Sequence, residues 1–173
     1  MRRFHKTFFI LAAILLLAVA LNSCDNRPLK VYADCLVRRV VDGDTLLLES
    51  GERVRLIGID TPEMHESQKL HRDAQRSQQD TTAIQRLGRR SYEFTKKLVE
   101  GKRISLEFDL EKYDKYKRLL AYVYLKENGV FVNAEIVKAG YASLLTIPPN
   151  VKYADLFLKL YREARENRRG LWE

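Results

Sequence analysis

Residues 35–60 read CLVRRVVDGDTLLLESGERVRLIGID. Three apolar runs stand out in this stretch: Leu36 to Val41, Thr45 to Leu48, and Val54 to Ile59. Asp42-Gly43 and Ser50-Gly51 separate them, and both dipeptides favour tight turns, so the segment predicts a three-stranded meander. Further along, Ile104, Leu106 and Phe108 alternate as a fourth strand, and Leu119 to Leu125 reads as a fifth. Residues 64–87 break the pattern with Gln, Arg, Ser and Asp around scattered apolar residues, which predicts a long mobile loop or a frayed helix. A helix then runs to Val99, with Gly101 placed to end it. Asn128-Gly129 turns the chain, and Asn133 is positioned to cap a short helix that stops at Gly140. Tyr153, Leu156, Phe157, Leu160, Tyr161 and Ala164 form one face of a last helix. The fold class is mainly β with α: a small closed five-stranded barrel with about three packed helices, spanning residues 35–173.

The chain has 173 residues, enough for one domain with a proper core and too few for two comfortable ones. Apolar residues make up 46% and charged residues 31%, which excludes a disordered tail and a multi-span membrane protein. Lys and Arg number 31 against 23 Asp and Glu, a net charge of +8 that biases the protein towards anionic partners. Two cysteines, Cys24 and Cys35, exclude a disulfide scaffold.

Arg2, Arg3 and Lys6 precede an apolar run from Phe8 to Leu21. That run is shorter than the ~20 residues of a membrane span and suits the core of an export signal. Leu21-Asn22-Ser23-Cys24 follows it and resembles the lipobox of bacterial lipoproteins, in which the cysteine is lipidated and becomes the new N-terminus. The expectation is a signal peptide over 1–23 and a lipid on Cys24. A tether over 24–34 then leads to a domain anchored in the cell envelope or secreted. Cleavage would remove three bases and no acid, leaving +5 of the +8.

Three clusters carry chemistry. In Asp42-Gly43-Asp44-Thr45 the second carboxylate leads into an apolar strand, where it needs either a partner or a metal. Arg55 lies on a strand among apolar side chains, either salt-bridged or reserved for an incoming anion. Asp60, the Thr61 carbonyl and Glu63 leave the end of that strand together, with Pro62 stiffening the exit. Hard oxygen donors gathered this way suit Ca²⁺, although a solvated acidic loop would read alike. Asp114-Lys115-Tyr116-Lys117-Arg118 could be a solvated basic turn. It could also hold a phosphate, with Arg118 as a bidentate fork and Tyr116 as a stacking surface. His65 and His71 read as solvated, Trp172 as a plug under the last helix, and Cys35 as a small packed residue.

These motifs, together with Leu120-Ala121-Tyr122 and the closing Gly170-Leu171-Trp172, resemble in order and spacing the staphylococcal nuclease (thermonuclease) family. The resemblance implies an OB-fold and Ca²⁺-dependent hydrolysis of DNA and RNA that leaves 3′-phosphates, carried out by a monomer. Residue by residue, it implies Asp44, Asp60 and the Thr61 carbonyl as Ca²⁺ ligands and Asp42 as an outer-shell carboxylate. Arg55, Glu63 and Arg118 become the catalytic trio, with Lys115 and Tyr116 binding substrate. Lys117 stands where the staphylococcal enzyme has Gly, and Leu144 to Asn150 lacks that enzyme's nucleotide-contacting tyrosines. The alternative class is an OB-fold nucleic-acid-binding lipoprotein without catalysis. Such a protein would be expected to have lost Glu63 or one of the arginines.

Overall fold

The computed structural model describes residues 32–173, so the export signal and Cys24 lie outside the described residues. β1 (Cys35–Asp42), β2 (Thr45–Leu48) and β3 (Arg53–Leu56) form the expected antiparallel meander. β4 (Gly58–Asp60), α1 (Gln68–Ser77), α2 (Thr81–Val99) and β5 (Arg103–Glu107) follow, then β6 (Leu119–Leu125), α3 (Val132–Lys138), β7 (Ser143–Leu145) and α4 (Ala154–Glu166). β6 lies parallel to β3 and antiparallel to β5, and β5 returns to β1. The result is a closed barrel in the order β1-β2-β3-β6-β5. A parallel pair cannot be joined by a hairpin, so the chain between β3 and β6 must make a long crossover. Much of the site is built in that crossover.

Period-two burial confirms the strand reading. Leu46 and Leu48, Val54 and Leu56, and Leu119, Ala121, Val123 and Leu125 all point inward and are at most 3% exposed. Each large side chain among them contributes about 1.5–3 kcal/mol of burial. The chain is held against the barrel from residue 32 onward: Tyr32 meets Phe108 edge-on, and Asp34 pairs with Arg103 at 2.7 Å. Among the described residues no helix is long and apolar enough to cross a membrane.

Three sequence expectations need correction. Of the two readings of residues 64–87 the loop fails and the helix holds, since they carry α1 and the start of α2. Each of these segments is anchored by one buried residue, Leu70 in α1 and Ile84 in α2, rather than by a continuous apolar stripe. The Ser67 side chain accepts from Leu70 N at 3.1 Å and starts α1. The described chain has four α-helices, in line with the about three expected. Asn133 does not cap α3: the helix is preceded by Phe131, and Asn133 is wholly buried inside it. Its Oδ1 accepts from Val123 N at 3.0 Å, and its Nδ2 donates to the Ile57 carbonyl at 2.9 Å. Leu156 is 39% exposed, because Phe157 and Ala164 are the residues of α4 that are fully covered. The short pair β4 and β7 went unforeseen, since three residues on each side carry no legible period.

Candidate active site

The turn at Gly43 and Asp44 is clamped from outside the barrel. Thr95 of α2 donates its hydroxyl to the Gly43 carbonyl at 2.7 Å, and a Cβ on Gly43 would lie 2.8 Å from the Thr61 side chain. Asp44, 6% exposed, accepts from the Thr45 hydroxyl at 2.9 Å and from Thr61 N at 3.0 Å. Its Oδ2 also lies 3.2 Å from Arg55 Nη2. Burial pushes the Asp44 carboxyl up, but Arg55 and the Thr61 N–H outweigh it and hold the group below the usual aspartate range. Asp42 lacks that compensation. Burial, then the charge of Asp44, raises it to about 6.

Arg55 is 9% exposed and committed on both arms. Nη1 donates to the carbonyls of Leu56 and Ile59 at 2.9 and 2.8 Å, and Nη2 donates to Asp60 Oδ1 at 2.9 Å. Its backbone is fixed by pairing in β3 and its head by the turn into β4. The guanidinium plane is therefore set before any substrate arrives.

Sequence reading missed Lys69. Its ammonium, from the first turn of α1, donates to the Thr61 carbonyl at 2.9 Å and lies 3.2 Å from Asp60 Oδ2 and 2.9 Å from Glu63 Oε1. Burial pulls the Lys69 pKa down, but Asp60 and Glu63 outweigh it and keep the amine charged. Three hard oxygens from separate residues thus converge on one cation. Asp60, Glu63 and the Thr61 carbonyl are hard oxygen donors of the kind that could hold a cation such as Ca²⁺ in place of the ammonium. Among the described residues no three acidic, His or Cys side chains gather as a metal cluster. The remaining ligands would be the Thr61 carbonyl and water. Lys69 is invisible in the sequence because its reach depends on where α1 packs, which no local pattern gives.

The basic cluster makes a tight turn before β6. Asp114 Oδ1 accepts from Tyr116 N and Arg118 N, both at 2.9 Å, while Oδ2 accepts from Arg118 Nε at 2.7 Å. Lys117 sits at φ 62°, a left-handed conformation that suits the Gly of the resemblance better than a lysine. Tyr116 is 68% exposed, with Lys115 Nζ and the Arg118 guanidinium 5.1 and 5.5 Å from its ring centre. Asn150, also unforeseen, is 5% exposed and holds both backbone groups of Glu111 at 2.8 Å. It thereby ties the two loops beside this turn.

One open cavity of about 880 Å³ gathers Asp42, Asp44, Arg55, Asp60, Glu63, Lys115, Tyr116 and Arg118 on its walls. Thr61, 2% exposed, is buried and is not among the residues that line it. His71 lies away from it, in contact with Glu66 at 2.5 Å and 60% exposed. Trp172 packs against Tyr161 under α4, and Cys35 is a free thiol at the start of β1.

A closed five-stranded barrel, with a cavity lined by acidic and basic side chains largely from the β3–β6 crossover, defines an OB-type barrel with an ionic site. A match to the family described as Staphylococcal nuclease homologue covers residues 53–173. Thermonuclease of Staphylococcus intermedius is 38% identical over 141 residues, 80% of this chain and 75% of that protein. Thermonuclease of Staphylococcus hyicus is 30% identical over 139 residues, 79% and 73% of the two chains. Endonuclease YncB of Bacillus subtilis (strain 168) is 32% identical over 148 residues, covering 83% of this chain and 63% of its own. The chain belongs to the staphylococcal nuclease family.

Proposed function

We propose that this protein is a Ca²⁺-dependent nuclease that hydrolyses phosphodiester bonds of DNA and RNA, exported and anchored by a lipid on Cys24. One observation carries the catalytic reading: Arg55, Glu63 and Arg118, from three separate segments, share a cavity with a carboxylate cage that already encloses a cation. The thermonuclease and endonuclease names of the relatives support the same reaction. Asp44, Asp60 and the Thr61 carbonyl would hold Ca²⁺, with Asp42 outside them. Bound there, the ion supplies positive charge against the phosphodiester anion.

The chain's own residues do the rest. Once Lys69 leaves the cage, Glu63 loses its ion-pair partner and is free to take a proton from an attacking water. Arg55 offers a positive charge whose place is fixed by two carbonyls and Asp60, and Arg118 offers a guanidinium held by Asp114. Both stabilise the charge that grows on phosphorus-bound oxygens in the transition state. Lys115 and Tyr116, at the rim, meet the nucleotide beside the scissile bond.

Location rests on the sequence alone: a signal over 1–23, Cys24 as the lipid site and a tether to residue 34, so that a monomeric domain works outside the cell. The test of activity incubates the purified protein with DNA and with RNA, in Ca²⁺ or in chelator, beside Glu63→Gln. Cleavage of both polymers in Ca²⁺, loss in chelator and a drop of roughly 10²-fold or more in Glu63→Gln are expected. Binding without cleavage by the wild type would instead establish the non-catalytic OB module. Fractionating cells that make the wild type or Cys24→Ala tests the anchor. A detergent-phase, mass-processed wild type and an unlipidated variant are expected, and two equally soluble proteins would refute lipidation.

A further inference from the structure

Helix α1 lines the same cavity as the Asp114–Arg118 turn and contributes Lys69, Arg72 and Arg76 to its lining. Their spacing of three and four residues puts them on one helical face. The helix is pinned rather than floating: Leu70 is fully buried, Ser67 closes its first turn, and α1 packs on α2. Lys69 is engaged in the carboxylate cage, whereas Arg72 and Arg76 are exposed and form no ion pair or side-chain hydrogen bond with another described residue. Asp73 also faces the cavity, so this wall carries three bases and one acid. The cavity is also lined by Asp42, Asp44, Asp60 and Glu63 and, from the segment before β6, by Glu111, Asp114, Lys115 and Arg118, with Asp114 already paired to Arg118. An anionic strand with its reacting phosphate beside Asp44, Asp60 and Arg55 would therefore find in α1 two exposed arginines that no carboxylate of the described residues holds.

Resting on the nuclease reading, we infer that α1 is a phosphate track on which Arg72 and Arg76 each hold a backbone phosphate next to the scissile one. The occupant is a polynucleotide strand, DNA or RNA. The two residues are four apart, about 6 Å of helix axis. That spacing matches the order of separation between successive phosphates of an extended strand. The contacts go to phosphate and carry no base preference, so their effect depends on substrate length. A dinucleotide has no phosphate to reach α1, whereas a 20-mer does.

The test uses the full chain in detergent and compares wild type, Arg72→Ala/Arg76→Ala and Arg72→Lys/Arg76→Lys, each checked for unchanged circular dichroism. Binding of a fluorescent single-stranded 20-mer is read by anisotropy in chelator across a salt series, and cleavage of the 20-mer and of a dinucleotide is read in Ca²⁺. For the alanine pair, about tenfold weaker 20-mer binding is expected, with a salt slope shallower by about 1.4 and a matching rise in KM. The dinucleotide KM should move less than about twofold, and the lysine pair should restore the slope. An unchanged slope, or equal losses on both substrates, would overturn the track. If the wild type cleaves nothing, the nuclease reading falls while the salt series still upholds or overturns the role of α1.

Discussion

The Asp114 carboxylate grips Arg118 twice, through the backbone N–H at 2.9 Å and the guanidinium Nε at 2.7 Å. It therefore decides where a proposed catalytic cation points while leaving the two terminal nitrogens outside this grip. Removing it in Asp114→Ala should lower kcat about tenfold with little change in KM, because the guanidinium remains but loses its aim. The same substitution should cost about 1–3 kcal/mol of stability, read by urea titration. The cost depends on pH with a definite sign. Burial raises the Asp114 carboxyl, but the bonds from Arg118 and Tyr116 outweigh it, so its folded pKa is depressed. The stabilisation is thus fully present above the unfolded value near ~3.9 and is lost as pH falls through the lower folded value. Wild type and variant should differ in Tm at neutral pH and converge below about pH 4. A constant gap down to acid would remove the carboxylate charge from the explanation.

With Lys69 inside the carboxylate cage, the proposed Ca²⁺ would enter by exchanging one cation for another. Lys69→Met keeps an unbranched side chain one atom shorter and removes its charge, so an arriving ion has no ammonium to displace. Calcium affinity should rise roughly 10- to 100-fold by calorimetry, as expected for losing one unit charge a few ångströms away. The metal-free variant should melt lower than wild type, since Asp60 and Glu63 lose their counter-charge. Adding Ca²⁺ should therefore raise its Tm more than it raises that of wild type. Equal affinities would mean that Lys69 leaves the cage at no cost.

Arg55→Lys isolates geometry from charge. A lysine keeps the cation but cannot serve the carbonyls of Leu56 and Ile59 and the Asp60 carboxylate together. Turnover should fall on the order of 10²-fold or more, with folding stability reduced by about 2 kcal/mol as the two carbonyls lose partners. Near wild-type turnover would make guanidinium geometry irrelevant there.

The barrel was legible because its strands are short and sharply bounded: Leu46, Leu48, Val54 and Leu56 alternate inward between turn dipeptides. The acidic and basic motifs were legible because an arginine in an apolar strand, or a carboxylate leading into one, needs a physical reason. What stayed hidden depends on tertiary partners. α1 shows no stripe because Leu70 alone anchors it, and with its packing hidden Lys69 had no address. Asn133 carries a good capping side chain, but the unpaired Ile57 carbonyl and Val123 N–H in the barrel compete for its amide and win. Asn150 and Thr95 act through backbone groups far along the chain, a kind of pairing that no local pattern encodes.

Gly88 shows the same dependence and gives the last prediction. It lies in the interior of α2, where glycine costs roughly 1 kcal/mol relative to alanine, so on helix propensity alone Gly88→Ala should stabilise the protein. The surroundings reverse that sign. A Cβ there would lie 2.6 Å from the backbone carbon and oxygen of Glu63 and 2.7 Å from the Pro62 carbonyl. These are backbone atoms and cannot swing aside as the tip of a side chain can. The methyl must push the segment 62–63 away from α2, carrying the Glu63 carboxylate and its contact with Lys69 along with it. Stability should fall by about 1–3 kcal/mol, the usual cost of overpacking. Turnover should fall further than the lost stability explains, because a displacement of about 1 Å in a reacting group can cost 10²-fold. The measurement is kcat at a temperature where circular dichroism finds both proteins fully folded. A folded Gly88→Ala with undiminished kcat would show that the 62–63 backbone is free to move without taking Glu63 out of place.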